Sequence, residues 1–319
     1  MPLIDKFKLA AIQAESIPFD MDASLEKACK LILDAGAQGA TLAAFGECWL
    51  PGFPFFVHAG PQQSNHHVAE YVGSAVEIPS PTTDKLCATA KQAGIDVVIG
   101  ILERDSVTRG TVYCTILFIG SEGKILGRHR KLKPTYSERA IWGEGDGVGL
   151  RTYERPYGRI SGLNCWEHNM ILPTYALAAE GVDIHIAAWP GREGAAPPSP
   201  LPVYSRQKLL SRAFASQAAC YVILVGGLRT RANTPDRLKD VLVWEHTGDS
   251  MIIDPRGELI AGPAQGETIL MAEGSRENII VAKAAADAGG HYSRPDVLQL
   301  RINREPIRRV IEENTDSSR

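Results

Sequence analysis

The stretch RISGLNCWEHNMILPTYALAAEGVDIHIAAW, residues 159–189, contains a complete strand–helix–strand pattern. Its first part, RISGLN, is a short and largely apolar run typical of a buried strand, and it ends immediately before Cys165. MILPTYALAAEG then has the length of a short helix, and DIHIAAW predicts the next strand. The cysteine therefore lies at the end of a strand. Its thiol either packs in the hydrophobic core or acts as a nucleophile.

The same alternation of strands and helices continues on both sides of this unit. A helix is expected to begin at Ser80 and Pro81, with the serine as cap and the proline in the first turn. Three apolar runs upstream predict strands, the last two joined by an SEGK turn into a hairpin: residues 95–103, 111–120 and 125–130. Three downstream runs also predict strands: CYVILVGG (220–227), SMIIDPRGELI (250–260) and NIIVAKAA (278–285). This mixture indicates an α/β protein with a mixed sheet.

Chain length and composition favour one large domain. The chain has 319 residues, which is enough to bury a core without disulfides or structural metals. The only loop-like stretch rich in proline, residues 191–202, lies between a strand and a helix and is short for a domain boundary. We therefore expect a single domain over residues 1–302, followed by a polar and charged tail at 303–319.

Charge and cysteine content exclude several classes of function. The net charge is −3, so no global attraction to nucleic acid or to an anionic membrane is expected. The N-terminus does not read as a signal peptide, and no run of 18 apolar residues predicts a membrane span. The six cysteines form no C-x-x-C pair and match no zinc signature, which favours reduced thiols, a cytoplasmic location and no bound metal.

Three predicted strand ends carry reactive side chains. Glu47 follows the run TLAAFG, Lys131 follows ILGRHR, and Cys165 follows RISGLN. Each alone has an ordinary explanation, which is packing for the cysteine and a solvated loop for the other two. Sites in α/β folds gather beyond the carboxyl ends of strands, so one face is expected to collect all three groups.

The chemistry of a thiol nucleophile needs the residue types found at these three positions. A free thiol has a pKa of about 8.5, so only a few per cent of it is thiolate at neutral pH. A carboxylate such as Glu47 can accept the thiol proton as the sulfur attacks. An ammonium such as that of Lys131 can hold this carboxylate and stabilise negative charge on the substrate. The set therefore indicates nucleophilic catalysis by Cys165.

Three longer motifs at the same positions resemble a known family. In chain order they look like the three signature regions of the nitrilase superfamily: FGECWLPGFP (45–54), HRKLKPTYSERAIWGEGDG (129–147) and LNCWEHN (163–169). The resemblance implies an α-β-β-α sandwich with mixed sheets flanked by helices. It also implies a Glu47–Lys131–Cys165 triad, a second glutamate at Glu138, and no metal or organic cofactor.

Two further features resemble the nitrilase branch of that superfamily. These are Cys-Trp-Glu at 165–167 and HYSRPDVL at 291–298. The expected reaction is hydrolysis of an organic nitrile to a carboxylic acid and ammonia through a cysteine thioimidate and a thioester. The alternatives are an amidase, a cyanide-hydrolysing member, or a catalytically silent scaffold that forms oligomers. One departure is Gly46, where the family often has proline, and glycine is expected to loosen the backbone before Glu47.

Aromatic and apolar residues suggest how substrate and partner are bound. Phe53, Trp166 and Trp189 lie in or beside the motifs and are candidates for an apolar substrate pocket, although core packing is the alternative for each. Helical segments 170–181 and 203–220 carry apolar faces that could pair with a second copy, and the resemblance implies a homodimer or a larger spiral. His168 could act as a base in a Cys–His scheme, but the turn after the strand is expected to point it away.

Overall fold

The computed structural model describes residues 3–191 and 203–310, and within these ranges it contains six α-helices, five short 3₁₀ helices and fourteen strands. The helices are α1 Met21–Ala37, α2 Pro61–Gly73, α3 Pro81–Ala93, α4 Ile171–Ala179, α5 Val203–Ala218 and α6 Arg276–Ala285. The strands are β1 Lys6–Gln13, β2 Leu42–Phe45, β3 Asp96–Arg104, β4 Val112–Gly120, β5 Lys124–Arg130, β6 Tyr153–Arg155, β7 Gly158–Asn164, β8 Ile184–Trp189, β9 Tyr221–Gly226, β10 Leu228–Arg229, β11 His246–Thr247, β12 Met251–Ile253, β13 Leu259–Ala261 and β14 Thr268–Ser275.

Two six-stranded mixed sheets form the centre of the molecule. The first has the order β14-β1-β2-β3-β4-β5, and the second has the order β13-β12-β9-β8-β7-β6. In each sheet three neighbouring strands are parallel, namely β1, β2 and β3 in one and β7, β8 and β9 in the other. The remaining strands pair in the antiparallel sense, and a separate two-stranded ladder joins β10 to β11.

The period of two along each strand divides the core into layers. In β1, Leu9 and Ala11 belong to the cluster between the sheets, together with Ile186 and Ile223 of the second sheet. The alternate side chains of β1 pack instead with α1 and α3 on the outer face of the first sheet. Helices α4 and α5 cover the outer face of the second sheet in the same way. The order is helix, sheet, sheet, helix, so the expected α-β-β-α sandwich is confirmed.

Most local predictions agree with the structure. Helix α3 begins at Pro81, and the Ser80 hydroxyl accepts the N–H of Thr83 at 3.4 Å. Strands β4 and β5 form the expected antiparallel hairpin. The unit quoted first is also present, because β7 and β8 pair in parallel and α4 connects them.

The strand predicted for NIIVAKAA is wrong, because residues 278–285 lie in helix α6. The Ser275 hydroxyl caps this helix by accepting the N–H of Asn278 at 3.2 Å. Ile279 is buried, whereas Ile280 is 61% exposed, which is the pattern of a helix with one apolar stripe. A short apolar run fits a strand and a helix equally well, and the capping serine upstream was the missed signal.

The division into domain and tail remains a prediction, although part of the tail is described. Arg304 donates from Nη2 to the Leu150 carbonyl at 3.0 Å, and Arg309 donates to the Tyr113 hydroxyl at 2.7 Å. Apart from Gly191, the loop expected at 191–202 lies outside the described residues.

Within the described ranges, no helix combines the length and the apolar character needed to cross a bilayer.

Candidate active site

Three strand ends from two sheets bring the candidate catalytic side chains together. Glu47 follows β2 and Lys131 follows β5 in the first sheet, while Cys165 follows β7 in the second. All three side chains are buried, and Lys131 is completely so. A fully buried lysine is expected only where carboxylates compensate its charge.

Lys131 lies between two carboxylates. Its Nζ donates to Glu47 Oε1 at 2.6 Å and to Glu138 Oε2 at 2.6 Å. Glu138 belongs to the 3₁₀ turn Tyr136–Ala140, and its Oε2 also accepts the N–H of Thr135 at 2.7 Å. The turn therefore positions Glu138, and the three side chains form one carboxylate–ammonium–carboxylate group.

Glu47 keeps one carboxylate oxygen free. Its Oε2 is buried and has no hydrogen-bond partner among the described residues, whereas Oε1 is bound by Lys131. Burial raises the pKa of Glu47 to about 8, although the Lys131 charge acts in the opposite direction. A carboxylate with a raised pKa is a stronger base than an ordinary glutamate, and its bare oxygen can accept a proton whenever the group is ionised.

Cys165 occupies a sharp turn directly after β7. Its backbone φ is +49°, in the left-handed region, and it starts the 3₁₀ turn Cys165–Asn169. Burial raises the pKa of its thiol well above the ordinary value, and the Glu47 carboxylate adds to this. The Lys131 charge and a hydrogen bond from the Trp166 N–H lower it in part. The thiol is thus protonated at rest and lies within electrostatic reach of both Glu47 and Lys131.

Glu167 links two segments of the site by hydrogen bonds. One is the turn after β7 that contains Cys165, and the other is the end of β5, next to Lys131. Its Oε2 accepts the N–H of Asn164 at 2.7 Å, on the β7 side. Its Oε1 accepts the N–H of Leu132 at 2.8 Å and lies 3.0 Å from His129 Nε2, on the β5 side. Sequence analysis missed this role, although the Asn-x-x-Glu spacing at 164–167 is that of a capping box.

The expected looseness at Gly46 is not what the structure shows. A Cβ at Gly46 would lie 3.1 Å from the Trp189 carbonyl oxygen and 3.3 Å from the Gly227 nitrogen. The next backbone N–H, that of Glu47, donates to the same Trp189 carbonyl at 3.3 Å. Close packing against β8 and the following segments therefore holds this backbone, and glycine serves the close approach.

The three aromatic candidates have different surroundings. Phe53 lines a small cavity of about 20 Å³ together with Glu47, although neither Cys165 nor Lys131 is among the lining residues. Trp166 is partly buried, and its ring packs edge-on against Tyr136 with centroids 5.8 Å apart. Trp189 is buried in the same apolar cluster as Cys165. Of these three candidates, Phe53 is therefore the one that lines a cavity together with a candidate catalytic group.

His168 does not face the thiol as a base. Its Nδ1 donates to the Cys165 backbone carbonyl at 2.7 Å, and its Nε2 lies 3.0 Å from Nε2 of His185. Both ring nitrogens are thus engaged elsewhere. The expectation that the turn points this ring away agrees with the geometry.

Comparison with known proteins assigns the family. The model described as Carbon-nitrogen hydrolase matches residues 8–284. A protein named Nitrilase 2, from an unknown prokaryotic organism, is 50% identical over 309 residues, which cover 95% of this chain and 94% of that protein. An aliphatic nitrilase of Sinorhizobium fredii (strain HH103) is 34% identical over 318 residues, with 96% and 98% covered. The crystal structure of Saccharomyces cerevisiae Nit3, a member of branch 10 of the nitrilase superfamily, superimposes with a TM-score of 0.71 at 23% identity, covering 89% of this chain and 95% of that chain.

The Nit3 likeness concerns the fold alone, and it agrees with the two-sheet sandwich described above. The family match and the relative at 50% identity define the class of the protein as a hydrolase that acts on carbon–nitrogen bonds. The chain belongs to the carbon-nitrogen hydrolase family, and the resemblance seen in its three motifs is confirmed.

Proposed function

We propose that this hydrolase converts an organic nitrile to the carboxylic acid and ammonia, with Cys165 as the nucleophile. The observation that carries the proposal is the buried Lys131 held at 2.6 Å by both Glu47 and Glu138, within electrostatic reach of the Cys165 thiol. The relatives at 50% and 34% identity are named nitrilases, which supports the nitrile as substrate class.

The first half of the reaction joins sulfur to carbon. Glu47 accepts the Cys165 proton through its free Oε2 as the sulfur attacks the nitrile carbon. One carbon–nitrogen π bond breaks, the thiol proton passes from Glu47 to the nitrogen, and a thioimidate forms with Glu47 ionised again. Lys131 and the Trp166 N–H stabilise the negative charge that develops on the nitrogen, a contribution of about 3–4 kcal/mol for one well-placed donor.

The second half consumes two water molecules. The first water, deprotonated by Glu47 or Glu138, adds to the thioimidate carbon, and the tetrahedral adduct expels ammonia to leave a thioester. The second water cleaves the thioester, releases the carboxylic acid and returns the proton to the thiol. The sum is one nitrile and two waters giving one acid and one ammonia. No step requires a metal or an organic cofactor.

Ammonia release by matched variants tests this assignment. We expect Cys165→Ala to lose at least about 10³-fold in kcat and Lys131→Met about 10²-fold or more, because each removes a group that acts in the transition state. Cys87→Ala is the control, since Cys87 is another buried thiol, which belongs to α3 and packs in the outer cluster of the first sheet, away from the site. Mass spectrometry should show Cys165 heavier by the mass of one whole nitrile.

Three results would refute the proposal. Near-normal ammonia release by Cys165→Ala would remove the nucleophile from the mechanism. Hydrolysis of amides with no reaction of any nitrile would instead favour an amidase. A folded protein inactive on both substrate classes would favour the silent scaffold.

We also propose that the chain forms a homodimer or a larger oligomer in the cytoplasm. Exposed apolar side chains on α4 and α5, the helices that cover the second sheet, support this proposal. Ile171 is 82% exposed and Leu172 is 62% exposed at the start of α4, and Leu209 of α5 is 65% exposed. Large apolar side chains exposed together often mark protein interfaces.

A further inference from the structure

Arg229 and His246 form a polar pair at the edge of the cavity that contains Glu47. They are directly opposed in the antiparallel ladder of β10 and β11. Opposed side chains project from the same face, with Cβ atoms about 4.5–5.5 Å apart. Both residues line the cavity, together with Phe53 and Glu47. The ladder thus places two polar side chains beside the cavity that Glu47 also lines.

His246 offers a buried hydrogen-bond acceptor with no partner. Its Nδ1 lies 2.9 Å from the Pro190 carbonyl oxygen, which can only accept, so Nδ1 carries the hydrogen. Burial lowers the pKa of this imidazole to about 4, and the Arg229 charge adds to that effect. The ring is therefore neutral near pH 7, and Nε2 is a bare lone pair. Among the described residues, nothing donates to this buried atom.

Arg229 offers a donor on the same face. The residue as a whole is 6% exposed, with Nη1 donating to the Asn233 carbonyl at 2.8 Å and Nη2 donating to the Ser16 carbonyl at 2.6 Å. These acceptors are neutral backbone groups, and within the described ranges no carboxylate forms an ion pair with Arg229. Burial lowers the pKa of Arg229 to about 10, so the group remains a cation near pH 7.

We propose that Arg229 and His246 form a hydroxyl subsite, so that the preferred nitriles carry a hydroxyl group on the chain leading away from the cyano carbon. This inference rests on the proposed nitrile hydrolysis. A hydroxyl group can donate to His246 Nε2 and at the same time accept from the Arg229 guanidinium. A carboxylate has no hydrogen for Nε2, and a methylene group leaves this buried nitrogen without a donor. The hydroxyl is thus the small substituent that satisfies both.

Substrate pairs that differ by a single group test the subsite. For the unmodified protein we expect kcat/KM for 3-hydroxybutyronitrile to exceed that for butyronitrile by about tenfold or more, because a site built for a hydrogen bond rejects a substrate lacking it. 3-Cyanopropanoate is the third substrate and tests whether charge alone attracts the ligand. This comparison needs no variant, so a folding defect cannot obscure it.

Two substitutions of His246 then locate the acceptor. His246→Asn keeps an amide donor near the Pro190 carbonyl but lacks an atom at the Nε2 position, so the preference should fall to about twofold or less. His246→Gln returns an acceptor to that distance and should recover part of the preference. His58→Asn is the matched control, because His58 packs on Phe53 with ring centroids 6.0 Å apart but does not line the cavity. The preference should be unchanged in this control.

Each outcome has a definite meaning. No ammonia from any of the three substrates, or from a wider nitrile panel, would overturn the proposed function, and the subsite with it. Equal kcat/KM for the two neutral nitriles, or an unchanged preference in His246→Asn, would overturn the subsite and leave nitrile hydrolysis standing. A preference for 3-cyanopropanoate over the hydroxynitrile would overturn the hydroxyl assignment.

Discussion

The two carboxylate oxygens of Glu47 have different surroundings. One accepts the Lys131 ammonium at 2.6 Å, and the other is buried without a partner among the described residues. The ammonium holds the side chain in one orientation, while the bare oxygen remains available for a proton. The same burial that leaves this oxygen bare also disfavours its charge. Position and basicity of the proposed base therefore have a common cause.

This basicity predicts the pH dependence of the reaction. The pKa of Glu47 is raised to about 8, so below that pH the carboxyl group is protonated and cannot accept the thiol proton. We expect kcat/KM for nitrile hydrolysis to rise with pH and to reach its half-maximal value near the pKa of Glu47. The measurement is a pH–rate profile on one nitrile.

Glu47→Gln provides the comparison for this profile. The amide cannot accept the proton, so activity should fall by about 10²-fold or more and the residual rate should no longer follow this ionisation. A flat profile of the unmodified protein between about pH 6 and pH 9 would contradict the role given to Glu47.

At the scale of secondary structure, Glu167 links the ends of β5 and β7. Burial alone would raise the pKa of this carboxyl group, but His129 and the N–H donors of Leu132 and Asn164 outweigh burial and lower it. The folded state therefore favours the ionised form. A lowered carboxyl pKa stabilises the fold above its unfolded value of 4.5, and this contribution is lost as the pH falls through the folded pKa.

Glu167→Gln should therefore lower the free energy of unfolding by about 2–3 kcal/mol at neutral pH, since charge-assisted hydrogen bonds are lost in a buried site. The loss should shrink as the pH falls from neutral to below 4.5 and through the lowered native pKa of Glu167, because the native carboxylate itself becomes protonated there. Urea unfolding across this range measures both effects. Glu154→Gln is the control, because Glu154 pairs with Arg159 on the surface, where its side chain is 71% exposed. Equal losses at all pH values would argue against the ionised link.

For the molecule as a whole, the exposed start of α4 is where the proposed assembly can be tested. We expect Ile171→Glu to shift the protein toward smaller species in sizing chromatography, because a charge would be placed in an apolar contact. Val107→Glu is the control, since Val107 is equally exposed at 82% but lies in the turn between β3 and β4. An elution volume unchanged by Ile171→Glu, or a monomeric unmodified protein, would refute an interface at α4.

Sequence patterns predicted those features of the fold and site that depend on neighbours along the chain. Strand ends before Glu47, Lys131 and Cys165 were visible because each follows a short apolar run. The run at 278–285 was misassigned because eight apolar-rich residues carry no decisive period. The pairing of Arg229 with His246 could not be predicted from the sequence, because it depends on the register between two strands. The two residues are 17 positions apart in the chain (246 − 229 = 17).

The candidate catalytic groups come from both layers of the sandwich, with Glu47 and Lys131 on one sheet and Cys165 on the other. Neither sheet alone contains a complete set. Catalytic activity therefore depends on the correct packing of the two sheets against each other. Far-ultraviolet circular dichroism measures secondary-structure content and does not detect this packing. An expanded acid state that retains its helices and strands would give a native-looking spectrum and yet be catalytically dead, and activity should return only when the layers close on each other again.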